Sequence, residues 1–227
     1  MKYNIYHSII LARGGSKGIK NKNLKKINTK PLLYWSINQS LKAKNINKTW
    51  VSSDSEKILN YAKSLGAETI KRPKNLSGDN SSSESGWIHA INEIKKRKYK
   101  FNKLVAIQAT SPLRSNKDFD KAINLFEKEK YCSLFSSVKA DDYYFSWKFL
   151  KGKLIPNYDI FLRTKRQNLN SIYLENGSFF IFDTKKFLKF KNRLFGKIGN
   201  YVQTKQCQFQ IDSLEDLRIV NHLLKIK

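Results

Sequence analysis

Two cysteines, Cys132 and Cys207, occur in 227 residues, and no metal-like spacing joins them. This excludes a disulfide framework and points to reduced thiols, with Cys132 expected as a buried strand residue. No apolar run approaches the roughly 18 residues needed to cross a bilayer. The start Met1-Lys2-Tyr3-Asn4 leads straight into a strand-like segment without a signal-peptide pattern, so a soluble, cytoplasmic protein is expected. Repeats and low-complexity linkers are also missing, and the length suits one α/β domain with at most a small appended lobe. Two nucleotide-binding patterns are absent: the G-x-x-x-x-G-K-[ST] loop, and G-x-G-x-x-G followed by an acidic ribose ligand. Walker-type ATP hydrolysis and hydride transfer to NAD are therefore disfavoured.

Acidic residues are scarce, 18 against 44 lysines and arginines, which gives a net charge of +26. Such an excess is the footprint of a phosphate-binding surface. Here it is mostly lysine spread over every segment beside abundant asparagine and isoleucine, the pattern of a coding bias, and it says little about partners. The densest run, IKKRKYKFNK (94–103), reads as a solvated helix end leading into a strand.

What is present is an alternation. Strand-like apolar segments lie at Asn4–Leu11, Thr49–Ser53, Glu68–Lys71, Leu104–Ala109, Cys132–Val138 and Ser178–Phe182. Helical patterns occupy 31–44, with Pro31 at the first helical position, and 55–66, closed by a C-terminal glycine. Others cover 83–98, 115–130 and 213–224. This predicts a Rossmann-like, doubly wound α/β fold with a mostly parallel sheet covered on both faces. Residues 139–176 interrupt the alternation with an aromatic, polar stretch in which GKLIPNYD resembles a hairpin. An insertion of this kind suits a lid or an oligomer contact, and aromatics covering the sheet edge explain it equally well.

In such sheets ligands bind beyond the carboxyl ends of the strands. The loop LARGGSKGIKNKN (11–23) follows the first strand, so it belongs there. It reads either as a solvated lysine-rich turn or as a phosphate cradle, with backbone donors freed by glycine and cations from Arg13 and the lysines. Three further stretches fall on the same face: QATSPLR (108–114), whose Gln108, Thr110, Ser111 and Arg114 offer amide, hydroxyl and guanidinium groups, RQNLNSIYLENGSFFIF (166–182) and FQIDSLEDL (209–217). Asp212 in the last reads either as a ligand or as a helix N-cap, a role Ser213 fills as well.

Together with RPKNLSGDNSSSESGWIHAI (72–91), these stretches in this order resemble the acylneuraminate cytidylyltransferases, the CMP-sialic acid synthetases, over nearly the whole chain. The resemblance implies a nucleotidyltransferase-type fold and transfer of CMP from CTP to the anomeric hydroxyl of an acidic nine-carbon keto sugar, with release of pyrophosphate and with Mg2+. It implies that Arg13, Lys17 and Lys22 neutralise the triphosphate, and that Ala12, Gly14, Gly15 and Ser16 line it. Asn23, Arg72, Ser81 and Ser83 would hold the cytidine. Gln108, Thr110, Ser111, Lys148, Arg166 and Gln167 would face the sugar, and Asp212 the metal. A homodimer through 139–176 is implied too, with neither a nucleic acid nor a membrane partner.

The chain departs from the family pattern in four places. Gln210 stands where a D-x-D pair usually begins, Lys20 and Asn170 replace expected prolines, and Leu174 replaces an arginine common in sialic-acid users. The last leaves the acceptor open among sialic, legionaminic and pseudaminic acid types. A nucleotidyltransferase of the same fold with another sugar or base is the alternative. A basic nucleic-acid-binding protein would explain the charge but not the motif order.

Overall fold

The computed structural model describes residues 4–16, 18–162, 165, 168 and 170–226. In chain order these form β1 (Tyr6–Leu11), β2 (Lys26–Ile27), β3 (Lys30–Pro31), α1 (Leu32–Leu41), β4 (Lys48–Ser53), α2 (Glu56–Ser64) and β5 (Glu68–Lys71). Next come α3 (Ser83–Lys96), β6 (Lys103–Gln108), α4 (Asn116–Lys128), β7 (Ser133–Lys139), β8 (Trp147–Leu150) and β9 (Lys153–Pro156). The chain continues through β10 (Tyr173–Asp183), α5 (Thr184–Phe190), β11 (Ile198–Gln203) and α6 (Leu214–Lys225).

Seven strands make one sheet in the order β11-β7-β10-β6-β1-β4-β5. Only β10 runs antiparallel to its neighbours, so the expectation of a mostly parallel sheet holds. Alternation along the strands sends Ile10, Val51, Val105 and Ile107 to one face, where Leu33 and Ile37 of α1, Ile58 of α2 and Phe119 of α4 cover them. Ile9, Trp50, Leu104 and Ala106 face the other way, against Trp87 and Ile91 of α3 and Phe187 of α5. The connection from β1 to β4 thus crosses one face and that from β5 to β6 the opposite face. β1 pairs with both β4 and β6, so strand order reverses beside it and the loops after β1 and β6 diverge.

Helix ends follow their local chemistry. α4 and α6 each begin with a capping box, Ser115 with Asp118 and Ser213 with Asp216, and α2 ends before Gly66 at φ +89°. Pro31 precedes the first helical residue rather than occupying it. The 94–103 run closes α3 at Lys96 and leads through the exposed residues 97 and 98 to β6, as expected of a solvated helix end.

Several expectations need correction. Cys132 is half-buried and lies just before β7, where Lys186 Nζ donates to its thiol at 3.2 Å. Neither cysteine is in a disulfide, as expected. β10 starts five residues before Ser178, because Tyr173, Leu174 and Glu175 pair with β7 alone and stay exposed. The strand β11 and the helix α5 were not foreseen. The inserted segment is correspondingly shorter, since Lys139 belongs to β7 and 173–176 to β10. At its centre β8 and β9 form an exposed antiparallel hairpin.

His7 on β1 is 3% exposed, stacks on Phe101 with centroids 4.7 Å apart, and accepts a hydrogen bond from Trp50 Nε1 at 3.2 Å. Burial first, and the Lys48 charge second, lower its pKa to about 4. The unfolded chain binds the extra proton between pH 6.5 and 4, so stability falls as pH drops through that window. We expect acidification from pH 7 to 5 to cost on the order of 1–2 kcal/mol from this residue. His7→Gln should flatten that part of the pH profile in urea unfolding.

Candidate functional site

A cleft of about 460 Å³ opens at the carboxyl ends of β1 and β6, and its walls bring together residues from four parts of the chain. The loop after β1 forms the first wall. Its backbone lies tightly against its surroundings: Gly14 N–H donates to Asp54 Oδ1 at 2.8 Å, and a Cβ on Gly14 would stand 2.9 Å from Ser55 Cβ. Gly18 packs on the Asp212 carbonyl, again leaving no room for a Cβ. These two glycines let the loop close on its neighbours, and the Gly14 N–H is already engaged rather than free for an anion.

The cations of this wall are held by carboxylates. Arg13 Nη1 pairs with Asp79 Oδ1 at 2.7 Å, and its carbonyl accepts from the buried Asn23 Nδ2 at 2.9 Å. Lys22 Nζ donates to Asp212 Oδ1 at 2.8 Å and to the Ile211 carbonyl at 2.9 Å, which ties the first loop to the segment before α6. Lys17 lies outside the described residues.

The second wall follows β5. Arg72 N–H bonds the Ser53 carbonyl at 2.8 Å, and its side chain turns inward, 4% exposed, with Nε donating to Ser77 Oγ at 2.9 Å. Gly86 of α3 permits this, since a Cβ there would come within 3.3 Å of the guanidinium. Burial lowers the Arg72 pKa, Asp54 opposes that shift, and Arg13 adds to it. Ser81 and Ser83 line the same wall, flanking Ser82, which caps α3.

Gln108 and Thr110 at the end of β6 and Asp212 before α6 complete the cleft. Thr110 accepts the Ile211 N–H at 2.9 Å and donates its hydroxyl to Gln210 Oε1 at 3.4 Å. Gln210 also donates to the Asn176 carbonyl, and it fits there because its neighbour Gly177, at φ +59°, has no Cβ. Asp212 is not the cap of α6, which is Ser213. Its carboxylate stays at the cleft, and its N–H donates to Asp216 Oδ2 at 3.0 Å.

Five of the expected residues that are described do not line the cleft: Gly14 and Gly15 of the first loop, and Ala12, Ser111 and Lys148. Ala12 is buried with its N–H committed to the Ser52 carbonyl at 3.0 Å. Ser111 is buried because the chain turns inward there to deliver Arg114 to the interior. Lys148 sits exposed on the β8–β9 hairpin, in neither cleft wall. Gly15 flanks a shallow surface hollow beside Arg13 and Ser16. Ser16 itself lines the cleft, while Arg166 and Gln167 lie outside the described residues. Arg114, which as a polar loop residue resembled a ligand group, is 1% exposed and bonds inward. Sequence reasoning also passed over Asp54 and Asp79, whose roles come from partners distant in the chain; the signal available for Asp54 was its place at the end of a strand.

Among the described residues, no three His, Cys, Asp or Glu side chains form a metal cage. With Gln210 turned to Asn176 and Thr110, Asp212 is the carboxylate of the C-terminal segment at the cleft. A single carboxylate fits Mg2+, which keeps several waters and takes most remaining ligands from phosphate.

Because Ser213 and not Asp212 caps α6, Asp212→Asn is expected to leave stability within about 0.5 kcal/mol of the parent. Ser213→Ala should cost about 1 kcal/mol. Guanidinium unfolding of the two variants checks this.

The sequence model of the family described as Cytidylyltransferase matches residues 7–225. "Post-translational flagellin modification protein B" of Campylobacter coli is 33% identical over 225 residues, covering 96% of this chain and 94% of that protein. "CMP-N,N'-diacetyllegionaminic acid synthase" of Campylobacter jejuni is 32% identical over 223 residues, with 96% and 94% covered. "N-acylneuraminate cytidylyltransferase A" of Danio rerio is 35% identical over 210 residues, 90% of this chain but 47% of that longer protein. Among solved structures, CMP:2-keto-3-deoxy-manno-octonic acid synthetase complexed with CTP superposes with a TM-score of 0.72 at 13% identity, covering 98% of this chain and 99% of that one. The last likeness concerns the fold alone. With a family match spanning β1 to α6 and a cleft built at the strand-order reversal, the chain belongs to the cytidylyltransferase family.

Proposed function

We propose that the protein transfers CMP from CTP to the anomeric hydroxyl of an acidic nine-carbon keto sugar, releasing pyrophosphate. The observation that carries this reading is the cleft itself. It gathers Arg13, Lys22 and the buried Arg72 at the switch point of a cytidylyltransferase fold, and of two relatives matched over nearly their whole length one is named a flagellin modification protein and the other a CMP-N,N'-diacetyllegionaminic acid synthase. Nucleotidyl transfer of this kind requires alignment and charge neutralisation more than covalent catalysis. Arg13, Lys17 and Lys22 neutralise the triphosphate, while Arg72, Ser81, Ser83 and Asn23 form the cytidine side. Arg72 is fixed by Ser77 and so reads one face of the base without reorganisation. Gln108 and Thr110 face the sugar, with Arg166 and Gln167 as its further partners. Asp212 holds Mg2+, which supplies charge stabilisation at the phosphates when bound.

The chain is inferred to work as a cytoplasmic homodimer through the β8–β9 segment. No described helix is long and apolar enough to cross a membrane. Phe149 and Leu154, paired across the hairpin, expose 73% and 66% of their surface, an apolar face of the kind that partners cover.

Pyrophosphate release measured over a panel of nucleotides and keto-acid sugars tests the reading. CTP is expected to exceed UTP, ATP and GTP, and acidic nine-carbon sugars to exceed neutral hexoses; no release with any keto-acid sugar would overturn it. Lys17→Ala should lower turnover by about 10²-fold with little change in melting temperature, since charge stabilisation of a transferring phosphoryl group is commonly worth a few kcal/mol. Leu174 is 41% exposed on β10, and Leu174→Arg should move acceptor preference toward N-acetylneuraminate, read from kcat/KM ratios in the same assay.

A further inference from the structure

Arg193, between α5 and β11, lines no part of the cleft, yet its guanidinium is held from several directions. Nε and Nη2 donate to the two carboxylate oxygens of Glu84 at 2.6 and 3.0 Å, and the guanidinium carbon lies 5.1 Å from the Trp87 ring centre and 4.8 Å from that of Phe180. The two side chains of the ion pair are only 26% and 19% exposed. Burial acts to raise the Glu84 pKa, but the hydrogen bond from Arg193, the residue's own N–H and the Arg193 charge outweigh it and hold the carboxyl below its usual range. The segment carrying Arg193 is itself anchored, because the buried Ser133 hydroxyl of β7 accepts the Phe195 N–H at 2.9 Å and donates to the Phe195 carbonyl at 2.8 Å.

This clamp bears on the cleft through α3. Trp87, Ala90, Ile91 and Ile94 pack that helix on the sheet, and apolar contact, being non-directional, resists separation more than sliding. A bidentate ion pair is directional and fixes register. Glu84 stands in the first turn of α3, between Ser83 in the cleft wall and Gly86, where a Cβ would lie 3.3 Å from Arg72 Nη1 and 3.0 Å from Leu11 Cδ1. A small slide of α3 therefore displaces Arg72. Apart from Nε on Ser77, the Arg72 guanidinium makes no hydrogen bond among the described residues, so its Nη groups are left for a ligand and their aim depends on the helix.

We propose that Arg193 is a positioning residue for the nucleoside: by gripping Glu84, 109 positions away in the chain, it sets where α3 seats Gly86 against Arg72 and holds Ser83 in the cleft wall. This rests on the reading of that wall as the cytidine side. The cations of the phosphate side have other anchors, Asn23 for the Arg13 backbone and the Asp212 segment for Lys22. Pyrophosphate, which lacks a base, therefore does not depend on the clamp.

Calorimetric binding of CMP, CTP and pyrophosphate to the full chain, in the parent, Arg193→Lys and Glu84→Gln, tests this. Lysine keeps the charge but loses the fork, and glutamine keeps the shape but loses one strong acceptor. CMP and CTP are expected to bind about threefold to tenfold more weakly in both variants, with pyrophosphate binding unchanged. In steady state the KM for CTP should rise by the same factor while kcat and the acceptor KM hold. Combining the two substitutions should add little, since either one breaks the same contact. A purely structural pair would lower the melting temperature and leave the ratio of nucleotide to pyrophosphate affinity as in the parent; that result overturns the proposal, as does full additivity of the two substitutions. Absence of CTP binding by the parent would instead overturn the reading of the cleft.

Discussion

The Arg114 guanidinium is enclosed by protein and hydrogen-bonds the carbonyls of Gln108, Ser111 and Ser178 and the hydroxyl of Ser36, at 2.6–3.2 Å. Burial lowers its pKa to about 9, so it remains charged at neutral pH. A dry charge costs least where its donors are met; here both Nη groups find partners while Nε has none, and meeting the Nη donors fixes the end of β6, the middle of α1 and the bulged part of β10 in one arrangement. Gln39 adds to this from α1 by donating to the carbonyls of Pro112 and Arg114. The course of QATSPLR is thereby set: alternate groups go inward to the guanidinium, and Gln108 and Thr110 are left facing the cleft.

From Thr110 the constraint passes to the C-terminal segment. Its carbonyl takes the Ile211 N–H, and its hydroxyl meets Gln210. Beneath them Asn176, 2% exposed, joins Ser136, Gln203 and the Cys207 carbonyl in a buried polar network. Asp216 then anchors the Asp212 and Ser213 N–H groups from the first turn of α6. Asp212 is thus placed by contacts on both sides, and Lys22 reaches it from the first loop. Asn176 has both ends of its amide engaged, although Gln203 Nε2 stays buried without a partner, and the bonds to Asn176 and Gln210 serve the fold and the site together.

These dependences explain which features were legible in the sequence. Strand β1, the Glu68–Lys71 strand and the helix α4 are local patterns, and they appear where periodicity puts them. Strand β11 was hidden because IGNYVQ contains Gly199, which is required by the Tyr131 ring lying against its Cα, a contact no local pattern announces. Arg114 was read as ligand-facing for the same kind of reason: a polar residue in a loop says nothing about burial until α1 and β10 close over it. Asp79 lay inside a recognised stretch, yet its role depends on Arg13, 66 positions earlier. Of the cations the family resemblance implied, Arg13, Lys22 and Arg72 line the cleft, while Ala12, Ser111 and Lys148 show that neighbours of a motif need not share its orientation.

The charge excess acts at a different level from these contacts. A net charge of +26 attracts any anion toward the surface and raises encounter rates, although at physiological salt the field of exposed lysines fades over about 8 Å. Attraction of that kind does not distinguish CTP from other polyanions. Discrimination has to come from groups that are fixed and partly desolvated, which in this cleft are Arg72 under α3, Asn23 behind Arg13, and the carboxylates facing the cations. With only 18 acidic residues in the chain, placing Asp79 and Asp212 in the cleft and Asp54 behind its first loop commits scarce negative charge where ligand phosphates would bind. The carboxylates keep Arg13 and Lys22 oriented and the Gly14 backbone closed in the absence of ligand. A site built from lysine and arginine alone would hold its anions more tightly and release them more slowly, which is the wrong balance for a reaction that must shed a pyrophosphate in every cycle.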